Sequence, residues 1–340
     1  MAKTTVATGA TNARVAYDEK LFRDARKSSF FDKFMGENAS SMVQVKSDLE
    51  KNKGETVKFS VRMRLAGAGV TEGQVLEGNE EALTFYTNSV TLAQYRHAVR
   101  DDGEMDRQRT AYDIDEEAKA AIMDWGAEKI DALCFNALLS SPTKTFYLDS
   151  SGVVAAGSAA TAKSGLHATS SKITPAFIRA IKTWAKTGGN RSYIPLRPIR
   201  IKGKDYYVLL THPDCVYDLK NNSTYEAYVR EAAERSDENP LFTGAVAIVD
   251  GVVIQEHENC TIALDGGGGS VAWAKGAFLG QQALLWAWGK RPKTIEKDFD
   301  YEDQIGHAWK IVAGVTKPIF NSLDYGSLGV YLSRTSISGL

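Results

Sequence analysis

Val57-Lys58-Phe59-Ser60-Val61-Arg62-Met63-Arg64-Leu65 alternates apolar and polar side chains at every step. Successive strand side chains point to opposite faces, so this spacing predicts a strand with one apolar side. A Gly-rich acidic segment follows, carrying Gly67, Gly69, Glu72, Gly73, Glu77, Gly78, Glu80 and Glu81. The chain then returns in a β-rich run from Leu83 to Val99, with Val90 and Leu92 on one face. Together, residues 54–100 read as a long two-stranded hairpin with a wide tip. A lone two-stranded ribbon is marginal in water, so its apolar side must lie on another surface, in this chain or in a neighbour. The expectation is a neighbouring copy.

Beyond the hairpin the period changes. Ala118, Ala121, Ile122, Trp125, Ile130, Leu133, Cys134 and Ala137 recur at three and four residues, which predicts a helix over about 113–140. Asp113 with Glu116 resembles a capping box, and Asp115, Glu116 and Glu117 suit the positive end of the helix dipole. At ~1.5 Å per residue such a helix runs ~40 Å before Pro142. Residues 148–172, rich in Gly, Ala, Ser and Thr, read as a loop or loose hairpin. Thr174 as N-cap, Pro175 at the first position and Gly188-Gly189 as stop bound a second helix.

The remainder alternates short elements. Tyr206–Leu210 reads as a buried strand, and Pro213–Leu219 and Tyr225–Ala233 as helices, the latter capped by Ser223. Asp250-Gly251 is a favoured two-residue turn between Ala245–Val249 and Val252–Gln255. Gly266–Gly269 reads as a surface turn, and 291–320 as extended antiparallel segments with a break at Gly314. The class is α+β, without a βαβ repeat.

Composition narrows the function. Over 340 residues, 43% of them hydrophobic, the chain can bury the core of two domains, or of one with appendages. Its 41 Lys+Arg nearly balance 42 Asp+Glu, which argues against a dedicated nucleic-acid or membrane-surface binder. Cys134, Cys215 and Cys260 are far apart and odd in number, fitting free thiols of a reducing cytoplasm. No apolar run reaches a signal's core after Met1 or the ~20 residues of a membrane span. Residues 1–45 are polar. Their first 27 hold Lys3, Arg14, Lys20, Arg23, Arg26 and Lys27 against Asp18, Glu19 and Asp24. With Phe30–Phe34 they read as an arm that docks elsewhere, or as a plain disordered terminus.

Catalytic chemistry is hard to find. No Gly-Lys-Ser/Thr follows the four glycines at 266–269, so they make no phosphate cradle. The five histidines are scattered, and Glu256-His257-Glu258 lacks a second zinc-binding His. Asp298, Asp300, Glu302 and Asp303 resemble the opening of a calcium loop. The sixth-position Gly and twelfth-position Glu are missing, and alternation with Phe299 and Tyr301 favours a strand's outer face. The expectation is no catalytic, cofactor or metal site.

The order of parts carries a resemblance. It rests on Leu76-Glu77-Gly78-Asn79-Glu80-Glu81, Tyr95-Arg96-His97-Ala98-Val99 and Met105-Asp106-Arg107-Gln108-Arg109-Thr110. Tyr206-Tyr207-Val208-Leu209-Leu210-Thr211-His212-Pro213, Leu279-Gly280-Gln281-Gln282-Ala283-Leu284 and Gly314 with Lys317-Pro318-Ile319-Phe320-Asn321 continue it. In that order the chain resembles tailed-phage major capsid proteins of the Hong Kong 97-type (HK97-like) fold, in wording most like the coat proteins of N4-like phages. Each motif is weak alone.

The resemblance implies a division: an N-terminal arm at 1–45, an extended loop at 46–104, and a peripheral domain at 105–188 and 291–325 with its spine helix. An axial domain at 189–290 and a C-terminal tail at 326–340 complete it. It implies a coat protein that assembles into hexamers and pentamers of an icosahedral head enclosing the phage genome. The partners implied are other copies, portal, scaffolding and decoration proteins, and packaged double-stranded DNA touched without sequence reading. Forty-five residues are too few for a built-in scaffolding segment. The chain would be made in the host cytoplasm and reside in the virion, with no membrane partner.

Leu65 to Tyr95 contains no Lys or Arg, so the tip acids Glu72, Glu77, Glu80 and Glu81 call for a basic surface on a neighbour. That surface is expected near Arg96, Arg100, Arg107 and Arg109, or near Arg197, Arg200, Lys202 and Lys204; the alternative is a solvated acidic loop. An encapsulin-type compartment, a tail or baseplate protein and an enzyme with a dispersed site are the competing functions.

Overall fold

The computed structural model describes residues 29–47, 50, 54–62, 65, 67–109, 114–191, 193–201, 203–227 and 247–336. Met63, Arg64, Asp113, Lys202, residues 1–28 and most of the helix expected at Tyr225–Ala233 lie outside them.

A 3-10 turn, Phe30–Phe34, leads to β1 (Met35–Gly36) and β2 (Val43–Lys46). The ribbon is β3 (Thr56–Arg62) with β4 (Phe85–Thr91), followed by β5 (Ala93–Arg100), α1 (Glu104–Arg109) and the long α2 (Ile114–Leu139). The middle holds β6 (Thr145–Leu148), β7 (Val154–Gly157), α3 (Ala159–Ser164), α4 (Pro175–Arg191), β8 (Ile199–Ile201), β9 (Lys204–Thr211) and α5 (Pro213–Lys220). Then come β10 (Ala247–Val249), β11 (Val252–Glu256), β12 (Ile262–Gly266), β13 (Val271–Leu279) and β14 (Leu284–Phe299). The last are β15 (Gln304–Thr316), β16 (Ile319–Phe320), β17 (Leu323–Asp324) and β18 (Ser327–Ser333).

Two mixed sheets organise these elements. The smaller runs β1-β2-β14-β15-β5, and the larger runs β10-β11-β9-β13-β18-β6-β7, with β12 on β13 and β8 on β9. Helix α2 serves both. Its Ile122, Ile130, Cys134 and Leu138 share one core with Trp286, Trp309 and Ile311 of the smaller sheet and Val208, Leu210 and Leu279 of the larger. Gly126 makes room for the Trp309 ring: a Cβ there would sit 3.1 Å from it. On the opposite face of the larger sheet, Phe177, Ile178 and Ile181 of α4 and Val216 and Leu219 of α5 cover Tyr207, Leu209, Phe278 and Val330. Strand β9 is apolar without alternation because both of its faces are covered.

Local signals explain the ends. Pro175 opens α4 while Thr174 Oγ1 accepts from Phe177 N at 3.2 Å. His212 caps α5, its Nδ1 accepting from Asp214 N at 3.2 Å. Asp250 and Gly251 take φ of 49° and 75°, as the tight turn between β10 and β11 needs. Strand β11 lies parallel to β9, so one crossover through α5 sits in this α+β fold.

Several expected boundaries move. The run Leu83–Val99 is two strands parted at Leu92, since β5 leaves the ribbon to pair with β15. The 148–172 loop holds a hairpin and α3, which Ser158 caps by accepting from Thr161 N. The helical turn at 223–227 is capped by Asn222, whose Oδ1 accepts from Thr224 N and Tyr225 N, and not by Ser223. The expected tail at 326–340 supplies β18, buried along its whole length between β13 and β6. Phe146, Phe177, Ile181 and Ala185 share a core with Leu196, Tyr207 and Leu209, so residues on both sides of 188/189 pack together over the larger sheet. Strand β14 likewise runs unbroken across 290/291.

The end of the expected arm is also placed differently. Phe31 is buried, and Phe30 and Phe31 pack against Phe135 of α2. The Asp131 carboxylate accepts from Ser29 Oγ at 2.7 Å, Phe30 N at 2.9 Å and Phe31 N at 3.3 Å. Residues 29–46 therefore dock on their own chain, because Asp131 meets backbone donors that the 3-10 turn leaves unpaired.

Candidate assembly surface

The ribbon has a buried root and an exposed end. At the root Val57, Phe59 and Val90 form a small core with Leu285 and Ala287 of β14. The expectation that the whole apolar side of the ribbon is covered by another copy is thus corrected: the root is sealed by its own chain, since β14 offers an apolar step beneath it. Beyond Arg62 the character reverses. Leu65, Val75, Leu76, Leu83 and Phe85 are each more than half exposed. They are five of twelve exposed large hydrophobics among the described residues, gathered within 21 positions. Single exposed apolar residues are ordinary; a gathered set marks a contact site.

The loop has its own order. Turns close from Gln74 N to Thr71 O and from Asn79 N to Leu76 O, each at 3.0 Å. Gly73 and Gly78 both take φ of 90° with open space around them. Glu81 Oε2 accepts from Gly67 N at 2.6 Å, tying the two arms together, and Glu80 Oε2 accepts from Gly78 N at 2.7 Å. Two of the four tip acids therefore also shape the loop, while Glu72 and Glu77 are exposed beside Val75 and Leu76.

The candidate basic partners separate into two groups. Arg96 and Arg100 stand exposed on β5, with Arg100 over the Phe299 ring at 5.1 Å. Arg109 pairs loosely with Asp106 at 3.7 Å and is largely exposed. Arg107 is used inside its own chain: Nε lies 3.3 Å from Asp101 Oδ2, and Nη2 donates to Asp303 O. Arg200 pairs with Asp205 at 3.1 Å. Of the acidic run, Asp298 lies in β14 opposite Ile305, while Asp300, Glu302 and Asp303 form the β14–β15 turn, where Asp303 Oδ1 accepts from Glu104 N at 3.1 Å. Among the described residues no group of three or more His, Cys, Asp or Glu side chains is placed to hold a metal ion. The three thiols are buried; burial raises all of them, Cys215 and Cys260 to about 12. No helix among the described residues is long and apolar enough to cross a membrane.

Sequence reasoning missed the cap of the long helix. Lys275 from β13 donates to Leu139 O, and Lys317 donates to Ser140 O at 2.8 Å and Ser141 O at 3.3 Å. Lys317 also pairs with buried Asp324 at 2.9 Å, whose other oxygen accepts from Thr143 N at 2.7 Å. The carbonyls that end a helix carry partial negative charge, so one ammonium from each side of the fold fixes this end of α2. Burial, with Lys317 nearby, pushes Lys275 down to about 8. A lone Lys within apolar Val271–Leu279 was the available signal.

A long helix that serves two sheets is thus joined to a ribbon that is rooted on its own chain and ends in exposed apolar side chains. The chain belongs to the phage capsid protein family, whose model matches residues 5–331. It is 28% identical to the major capsid protein of Pseudomonas phage KPP25 over 365 aligned positions, 94% of this chain and 95% of that one. Its structure resembles the capsid of Ralstonia phage GP4 with a TM-score of 0.78 and 26% identity, covering 99% of both chains. The capsid asymmetric unit of cyanophage Pam1 gives a TM-score of 0.78 at 23% identity, over 99% of this chain and 100% of that one. The fold is HK97-like and the protein is a virion structural protein of the major-capsid class. These likenesses favour the coat over the encapsulin, tail and enzyme alternatives.

Proposed function

We propose that this chain forms the icosahedral head of a tailed phage by associating as hexamers and pentamers, with the loop at 65–84 and Phe85 laid across the next copy. The observation that carries the proposal is the gathered apolar exposure beyond a root that needs no partner. Burying apolar surface yields about 25 cal/mol per Å², so a subunit making several such contacts binds its ring firmly even when each contact is weak. The smaller sheet with α2 forms the peripheral part, and the larger sheet with α4 and α5 the axial part. Glu72 and Glu77 at the tip face a basic strip including Arg96, Arg100 and Arg109 of the neighbour, with Glu80 and Glu81 holding the loop's shape. The basic residues within 1–27 touch packaged DNA through phosphates. Portal, scaffolding and decoration proteins complete the particle, and no catalytic step or cofactor is part of the role.

Electron microscopy of the expressed chain, with a scaffolding partner where one is needed, tests this: closed polyhedral shells are expected, and tubes or small oligomers alone would overturn it. Glu72→Lys with Glu77→Lys, which spares the loop-shaping Glu80 and Glu81, should leave a folded monomer and reduce shells severely. A normal shell count from that double variant removes the charge-matching part of the proposal.

A further inference from the structure

We propose that Gly314, with Gly289 beside it, is the seat that fixes the angle at which the ribbon leaves the body. It rests on the assembly proposal, because the angle matters only if the loop must reach a neighbour. Thr91 still pairs with Thr56 in the ribbon, whereas Ala93 pairs with Ala313 in the smaller sheet. The chain therefore bends at Leu92, over β15. A Cβ on Gly314 would lie 2.8 Å from Val90 Cγ1 and 3.0 Å from the Thr91 carbonyl carbon, and closer still to the Thr91 oxygen. A Cβ on Gly289 would lie 2.7 Å from Leu92 Cδ1 and 2.9 Å from Val312 Cγ1. Neither glycine needs a positive φ, so room and not backbone freedom requires them.

The ribbon is a lever. Seven paired residues on each strand extend it by ~23 Å, with the loop beyond. Any side chain on Gly314 forces Thr91 back by about 1 Å before ordinary contact is restored, and the loop end moves by several times that distance. The two glycines also differ in kind. Gly314 faces backbone, which no substitution can trim, whereas Gly289 faces the end of the Leu92 side chain, which can be shortened.

The experiment uses the full chain in two measurements. Spin labels at Asn79→Cys and Glu128→Cys report the ribbon angle in the unassembled protein, and electron microscopy counts shells. Gly314→Ala should keep wild-type circular dichroism, shift the label distance by several ångström and lower shell yield at least tenfold, with no recovery on adding Val90→Ala. Gly289→Ala should do the same to a smaller extent, and Leu92→Ala should return both readouts toward wild type. An unchanged label distance in Gly314→Ala overturns the seat. Should that variant not fold, failure of Leu92→Ala to correct Gly289→Ala overturns it instead. A distance shift with undiminished shells leaves the seat intact and counts against the assembly proposal.

Discussion

The root and the end of one ribbon belong to one continuous stretch of chain, yet they meet opposite surroundings. Val57, Phe59 and Val90 are buried on β14, while Leu65, which continues the same alternation, stands in solvent with Leu76 of the loop and with Phe85, which pairs with Arg62 on the ribbon's other face. Alternation reports that a strand has an apolar side, but not whose surface covers it. Coverage depends on what lies within reach, and β14 ends its support at Leu285 and Ala287. The root is a matter of folding and the end a matter of association.

Variants can force that difference. The largest effect is expected from Phe59→Ala at the root, which is 5% exposed and should cost the monomer about 3–5 kcal/mol in denaturant unfolding. A loss under about 1 kcal/mol would mean the root is not part of the folded core. Next, Leu76→Ser at the end should change monomer stability by no more than about 0.5 kcal/mol while lowering shell yield roughly tenfold, equivalent to ~1.4 kcal/mol per contact. Equal effects on folding and assembly would erase the distinction.

The smallest effect lies outside the ribbon, at the lysine cap of α2. Lys275, near 8 in the folded protein against its ordinary 10.5, releases its proton earlier than the unfolded chain does. Between those values the unfolded state holds more protons, so this residue's contribution to stability rises with pH. Wild-type stability relative to Lys275→Met should climb from pH 8 to pH 10 and be level between pH 6 and pH 7. A flat difference across both ranges would show that the cap does not feel its burial.

Much of this was legible in the chain. Helical spacing located α2 from Ile114 to Leu139, Thr174-Pro175 located the start of α4, and Asp250-Gly251 located the β10–β11 turn. What escaped was long-range. Asp131 is one acid on an apolar helix face, and nothing local says that it receives Ser29, Phe30 and Phe31. Lys317 and Asp324 are seven positions apart, but their target is the end of a helix some 180 residues earlier. Strand β18 looked like a tail because membership of a sheet's middle depends on partners β13 and β6 that sequence does not name. Of the candidate contact residues, the exposed acids and Arg96, Arg100 and Arg109 stand accessible, whereas Arg107 is held by Asp101 and Asp303.

Hydrogen exchange of the same protein before and after assembly measures the difference between root and end directly. Amides at 57–61 should be protected in both states, and amides at 67–84 should exchange freely in the monomer and slow markedly in the shell. Equal exchange at 67–84 in monomer and shell would contradict the account.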